Sequence, residues 1–279
     1  VVAVVVFAVS AAASDLEEAQ KMYRRTNFKG AIELLKPAAD KDAAATALIG
    51  QSYLMLGDAN KAVEYLSRAV ALEPGKSTYY LWLGRAYGRK AETAFPLVAP
   101  HDAAKARMNF EKAYALDPKN PDATDDLFEY YLEAPGFLGG GFDKAAAIAE
   151  KIAERDPAEG DFAKARLAEE RKDYSTEEAM LRRALELAPK SPRRLLDLAT
   201  FLAKRGRYEE SDATFQKARQ FAGQAPRVLY REAAAYVHEN RKPEEARQLL
   251  ERYLASNAIG PDDPPKKDAL KLLNQISGT

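Results

Sequence analysis

The sequence predicts an all-α fold, a solenoid of antiparallel helix pairs, and three observations lead to it. Gly50 and Tyr53 recur 34 residues later as Gly84 and Tyr87. Each such pair is followed by a matching set of small and bulky residues, Ala62, Leu66, Ala69 and Pro74 in one case, Ala106, Phe110, Ala113 and Pro118 in the other. The composition also shifts little along the 279 residues, and no long Gly/Ser linker divides them. A chain longer than one ordinary domain, uniform and self-similar at a fixed period, reads as an array of stacked units sharing a continuous core.

Residues 1–13 open the chain with a wholly apolar run, Val1 to Val9, followed by the small residues Ser10 to Ala13. This is the pattern of a secretory signal peptide: an apolar core and then an Ala-x-Ala cleavage site. Neither a starting Met nor a basic leading region is present. The sequence is therefore read as entering the signal part-way, with cleavage after Ala13 and a periplasmic or secreted product. The alternative is an uncleaved leader that anchors the chain to a membrane, although the visible run is shorter than the ~20 residues a span needs. A buried strand is the weakest alternative, because nothing downstream alternates in a way that would pair with it.

The repeat itself has a physical rationale. Small residues at Gly50, Gly84, Ala62 and Ala106 let two helices approach closely, while Tyr53, Tyr87, Leu66 and Phe110 fill the space between them. Pro74 and Pro118 stop the second helix. Asn120-Pro121 and Ser191-Pro192 each read as an N-cap followed by proline in the first turn of the next helix. Tyr80, Leu83, Gly84 and Tyr87 have the spacing aromatic-x2-Leu-Gly-x2-Tyr. Together with Ala106, Phe110, Ala113 and Pro118, this closely resembles the tetratricopeptide-repeat family. The resemblance implies a right-handed superhelix, that is, a solenoid in which the first helix of each pair lines a concave face.

On that resemblance, Tyr23, Ala31, Leu35 and Ala38 mark a degenerate first repeat over 14–42. Residues 43–258 form an array of six repeats. Looser copies are carried by Leu127, Tyr131, Ala145, Ile152 and Pro157, then by Ala165, Ala168, Leu181, Ala184 and Pro189. The next uses Leu198, Ala199, Leu202, Phe215 and Ala218, and the last Ala234, Ala246, Leu250 and Tyr253. Departures from the pattern are Glu177 and Ser211 at positions where the family prefers a small residue, and Gly223 in place of the terminal proline. The polar, Pro-rich stretch 259–266 reads as a linker, and 267–279 as an amphipathic helix that caps the last repeat.

Two repeats carry extra residues between their helices, near 88–103 and 134–142, which should emerge side by side on one edge. Phe95-Pro96-Leu97-Val98, Pro135-Gly136-Phe137-Leu138 and Phe142 make them apolar for exposed loops. They either pack against each other or form a lip on the binding groove. Gly139-Gly140-Gly141 lacks the Gly-Lys-Ser/Thr ending and the preceding strand of a phosphate loop, and reads as a flexible helix-ending turn.

Composition excludes several functions. Lys plus Arg and Asp plus Glu each number 42, so no net field recruits nucleic acid. There is no Cys, and the two histidines, His101 and His238, lie far apart without companion ligands. Metal and thiol chemistry are thus unsupported, and no cofactor is expected. No constellation of nucleophile and base is visible, so the chain is read as a non-enzyme with no small-molecule substrate.

The expected partner is an unidentified protein or peptide held in the groove. Register within the repeat puts Arg24, Gln51, Met55, Trp82, Arg85 and Arg89 on the groove face, followed by Asp125, Glu129, Glu133, Arg166 and Thr200. The candidate peptide-binding residues are Gln51, Met55, Trp82, Arg85, Arg89, Glu129, Glu133 and Arg166. Arg85 and Arg89 either grip a peptide carboxylate or pair with Glu129 and Glu133 in the next repeat. Trp82, the only Trp, either anchors a ligand or is buried between helices. The basic clamp with which some family members hold the acidic tail of cytosolic chaperones is missing, since Ala47, Gln51, Trp82, Asp122 and Asp126 stand at its positions. An architectural spacer in an envelope assembly is the alternative function.

Overall fold

The computed structural model describes residues 14–95 and 97–277, so the leader expected over 1–13 lies outside the described residues. Fifteen helices and two short 3₁₀ turns are present among the described residues, with no strand. The fold is an all-α helical repeat. It divides into two compact units, Val1–Ile152 and Ala153–Thr279.

The first unit contains α1 (14–24), α2 (Phe28–Leu35), α3 (Ala43–Met55), α4 (Ala59–Leu72), α5 (Ser77–Thr93), α6 (Ala99–Leu116), α7 (Pro121–Glu133) and most of α8 (Phe142–Arg155). Each start has a local cause. Asp42 accepts hydrogen bonds from the amides of Ala44 and Ala45, Asp58 from that of Lys61, and Asn120 from that of Ala123. These side chains satisfy amides that the first turn leaves without partners. Helices α4 and α6 end at Leu72 and Leu116, just ahead of Pro74 and Pro118.

Helix α3 packs on α4, and α5 on α6. Gly84 is required for the second contact: a Cβ there would lie 2.6 Å from the Phe110 ring. The same closeness holds at Gly50, where a Cβ would come within 2.6 Å of Leu66 Cγ. Ala62, Ala69, Ala86 and Ala113 are fully buried around these contacts.

The first insertion differs from the loop expected over 88–103. Helix α5 runs on to Thr93 and α6 begins at Ala99, so most of the added length is helical. The reason lies in the residues. Arg89, Lys90, Ala91 and Glu92 favour helix, and Pro100 suits the first turn of α6. Lys90 then pairs at 3.4 Å with Asp102, which is buried in that first turn.

The second insertion has little helix of its own beyond a 3₁₀ turn, Gly136–Leu138. Gly140 is obligatory, since a Cβ would sit 1.8 Å from the carbonyl oxygen of Ala134. The Tyr130 hydroxyl lies 3.0 Å from the carbonyl oxygens of both Ala103 and Leu138 and can donate to one at a time, holding this insertion against α6. The two insertions are therefore neighbours. Their tips do not bury one another: Phe95, Leu97 and Phe137 are 84%, 96% and 82% exposed.

The second unit contains the end of α8 and then α9 (Pro157–Glu170), α10 (Tyr174–Leu187), α11 (Pro192–Lys204), α12 (Tyr208–Ala222), α13 (Pro226–His238), α14 (Pro243–Ala255) and α15 (Lys266–Ser277). Helices α9 and α10, α11 and α12, and α13 and α14 pack as pairs. Asp156, Asp173 and Ser191 cap α9, α10 and α11. Gly223 ends α12 at φ +59° and ψ −127°, a positive-φ conformation that favours glycine, where proline ends the helix elsewhere.

Ser211 is fully buried and its hydroxyl donates to the Ala199 carbonyl at 2.8 Å, which is how a polar residue is accommodated at a packing position. Glu232 is 0% exposed in α13, where Arg219 donates to both its oxygens at 2.6 and 2.7 Å and the Tyr236 hydroxyl to one at 3.0 Å. Helix α15 lies on α13 and α14, placing Ala269 and Leu272 among Leu229, Tyr236, Leu250 and Tyr253. No helix among the described residues is long and apolar enough to cross a membrane.

Candidate functional site

In the first unit the residues expected on the groove face lie on α1, α3, α5 and α7, the first helices of successive pairs. Gln51 and Met55 are partly exposed on α3. Gln20, Tyr23 and Arg24 of α1, Ala44, Ala47, Leu48 and Gln51 of α3, and Tyr79 of α5 line a cavity of about 270 Å³. Two residues placed on the face from register, Arg24 and Gln51, thus meet at one hollow.

On α5, Trp82 is half-buried, with part of its ring packed on the core cluster of α3, α4 and α5. The Arg85 guanidinium lies over that ring, 4.8 Å from its centroid. Its Nε donates to one oxygen of Asp126 at 2.5 Å and its Nη2 to the other at 3.2 Å. Arg85 is therefore held on two sides, by a π face and by a two-point carboxylate contact. Burial raises the Asp126 carboxyl above its ordinary value, against the hydrogen bond and charge of Arg85.

Beside the pairing expected from register, with Glu129 and Glu133, the structure gives each arginine a further carboxylate. Asp126, three residues earlier on α7, is the two-point acceptor for Arg85, while Arg89 pairs at 2.8 Å with Glu92 on its own helix. A neighbour one turn away is within reach of an exposed Arg without any help from the next repeat. Glu129 and Glu133 lie on α7, Glu129 partly exposed and Glu133 exposed.

In the second unit Arg166 and Thr200 fall on the wall of another cavity, of about 440 Å³, bounded by α9, α10, α11 and α13. Three cations and four carboxylates line it. Arg166 and Lys204 reach Glu169 at 3.4 and 2.8 Å, and Arg231 reaches the Thr200 hydroxyl at 2.9 Å and Asp197 at 3.4 Å. Burial would raise the Glu169 carboxyl, but the hydrogen bond and charge of Lys204, then the charges of Arg166 and Arg205, hold it below its ordinary value.

Glu177 behaves oppositely. It is only 6% exposed, and burial, reinforced by Glu169, pushes its carboxyl up to about 7, although Lys204, Arg205 and Arg166 oppose the shift. Its burial is the structural outcome of a residue already conspicuous as too large for its place in the repeat. Asp197 and the Arg194 beside it carried no such signal, because their meeting depends on the register between helices.

A further cavity, of about 730 Å³, lies against α13 and α15, with Tyr236, Val237 and Ile276 on its wall and none of the groove-face residues. Among the described residues no group of three or more His, Cys, Asp or Glu could hold a metal ion.

Comparison with known proteins agrees with the helical-repeat fold. Residues 43–76, spanning α3 and α4, match the family model of the tetratricopeptide repeat. A tetratricopeptide repeat protein of Parabacteroides merdae has a similar structure, with TM-score 0.63 and 15% identity over 96% of this chain and 99% of that one. A thermophilic TPR protein of Thermus thermophilus aligns with TM-score 0.54 and 24% identity over 72% of this chain and 98% of its own. At such identities the likeness is one of fold. No curated protein matches the chain significantly.

Proposed function

We propose that this tetratricopeptide-repeat protein, with its matching repeat at residues 43–76 and the helical-repeat fold of its structural relatives, is an exported module that binds an extended peptide segment of another protein. The observation that carries the reading is the coincidence of cavities with first-helix faces. Arg24 and Gln51 line one hollow in the first unit, and Arg166 and Thr200 line another in the second. The first-unit site comprises Gln51, Met55, Trp82, Arg85, Arg89, Glu129 and Glu133, and Arg166 belongs to the second unit. A half-buried Trp carrying a fixed Arg offers an apolar surface and directed donors together. Such a surface suits a peptide that must recover its ordering entropy from several modest contacts.

Peptides selected from a random library on the immobilised chain should lose at least about tenfold in affinity on Trp82→Ala, as expected where an aromatic anchor is truncated, and to a lesser degree on Arg85→Ala. Thermal melts of both variants guard against a trivial loss of fold. Unchanged affinity in variants that melt normally would mean that this face does not bind the ligand, and would favour the architectural spacer. Export is supported by the apolar run ending in small residues before Ser14. N-terminal sequencing of the protein from its native host should begin at or near Ser14, and a membrane-bound product retaining Val1 to Phe7 would contradict cleavage.

A further inference from the structure

We infer that the cavity bounded by α9, α10, α11 and α13 is a receptor for a cationic side chain, a lysine or arginine of a bound peptide, with Glu177 as its acceptor. The inference rests on the peptide-binding reading only in making a peptide the carrier of the cation. The cavity belongs wholly to the second unit and is tested there.

The first support is an imbalance of partners. The three cations on the wall, Arg166, Lys204 and Arg231, are committed. Arg166 and Lys204 are paired with Glu169, and Arg231 is held by Thr200, Asp197 and the Leu196 carbonyl. Glu177 is more than nine-tenths buried, and its carboxyl has neither a hydrogen bond nor an ion pair among the described residues. Asp197, by contrast, is committed, to Arg231 at 3.4 Å and to Arg194 Nη1 at 3.6 Å. A carboxyl largely withdrawn from solvent and without a donor is uncommon, so Glu177, facing the hollow, calls for a donor from outside.

The second support is the shape of the remaining wall. Phe162, Leu181 and Phe201 are apolar, and Phe162 already supports the Arg194 guanidinium at 4.4 Å. An alkyl stem with a charged head fits that division, since long basic side chains lie along apolar surface and reach polar partners at the tip. An anionic ligand would meet Glu169, Glu170, Glu177 and Asp197 while the cations were occupied.

The groups facing Glu177 are Arg166 and Glu169 from α9, and Lys204 and Arg205 from α11. Asp197 and Arg231 complete the wall from α11 and α13. Near neutral pH the Glu177 carboxyl holds its proton about half the time. An entering ammonium or guanidinium favours the carboxylate, and the proton passes to solvent. Binding should therefore weaken as pH falls through 7, by about tenfold between pH 8 and pH 6.

The test uses the full chain and acetylated, amidated alanine pentapeptides carrying arginine, lysine, citrulline or glutamate at the centre. Binding is followed by amide NMR shifts of Phe162 and Thr200. The arginine and lysine peptides should shift these signals and bind at least about tenfold more tightly than the citrulline and glutamate peptides, as removal of a charge-assisted contact implies. Glu177→Gln should abolish both the preference and the pH dependence, with Glu177→Ala as a second variant and melting curves for each. Equal binding of arginine and citrulline peptides, or a Glu177→Gln chain with unaltered affinity and pH profile, overturns the inference. A response confined to signals near Arg85, with Phe162 and Thr200 silent, overturns it while leaving the first-unit reading intact.

Discussion

Glu177 stands where a small residue would let α9 and α10 close together, and its carboxyl is carried into a setting that disfavours its charge. Its folded value near 7 exceeds the ordinary 4.5. For a carboxyl raised on folding, the associated stability is fully present below the ordinary value and is lost as pH rises through the folded one. The native chain should therefore weaken between about pH 4.5 and pH 7 relative to Glu177→Gln. Urea titrations read by circular dichroism should show the Gln variant more stable at pH 8, by on the order of 1–3 kcal/mol, with the gap narrowing at pH 5. A constant gap would place the carboxyl's value elsewhere. At this scale the sequence was legible in part: Glu177 was visible as a misfit in the repeat, and Gly84 and Phe110 as a packed pair. The Arg85–Asp126 contact was not, because which of several carboxylates on α7 meets an Arg on α5 depends on side-chain reach across helices and not on spacing along one.

Element by element, the repeat spacing located the helices well where packing and capping agreed, as at Asn120-Pro121 and Ser191-Pro192. It misjudged the first insertion, since counting residues against a fixed period reveals that length has been added but not its conformation. The added residues are good helix formers, so α5 and α6 grow to 17 and 18 residues and leave a short connection. That connection is apolar yet solvated. The double substitution Phe95→Ser and Leu97→Ser should change stability by no more than about 0.5 kcal/mol, since neither side chain is buried in the folded state. A melting temperature lowered by several degrees would show that these tips are covered in solution.

For the whole molecule, stability in a repeat array is a sum over units and the faces between neighbours, so the last face matters as much as any internal one. Helix α15 covers it in the second unit with Ala269 and Leu272. Truncation after Asn257 should cost about 3–6 kcal/mol, the worth of two or so buried apolar side chains and the partners they leave bare. Denaturant unfolding of the full and shortened chains would measure it.

The coverage of α13 and α14 also bears on chain growth. A bare final face is a template on which the next copy could add head to tail, and addition of that kind does not close on itself. With α15 seated and Lys271 turned to solvent, that template is occupied from within the same polypeptide. The shortened chain should sediment faster as its concentration rises, because α15 acts as a terminator against fibre growth.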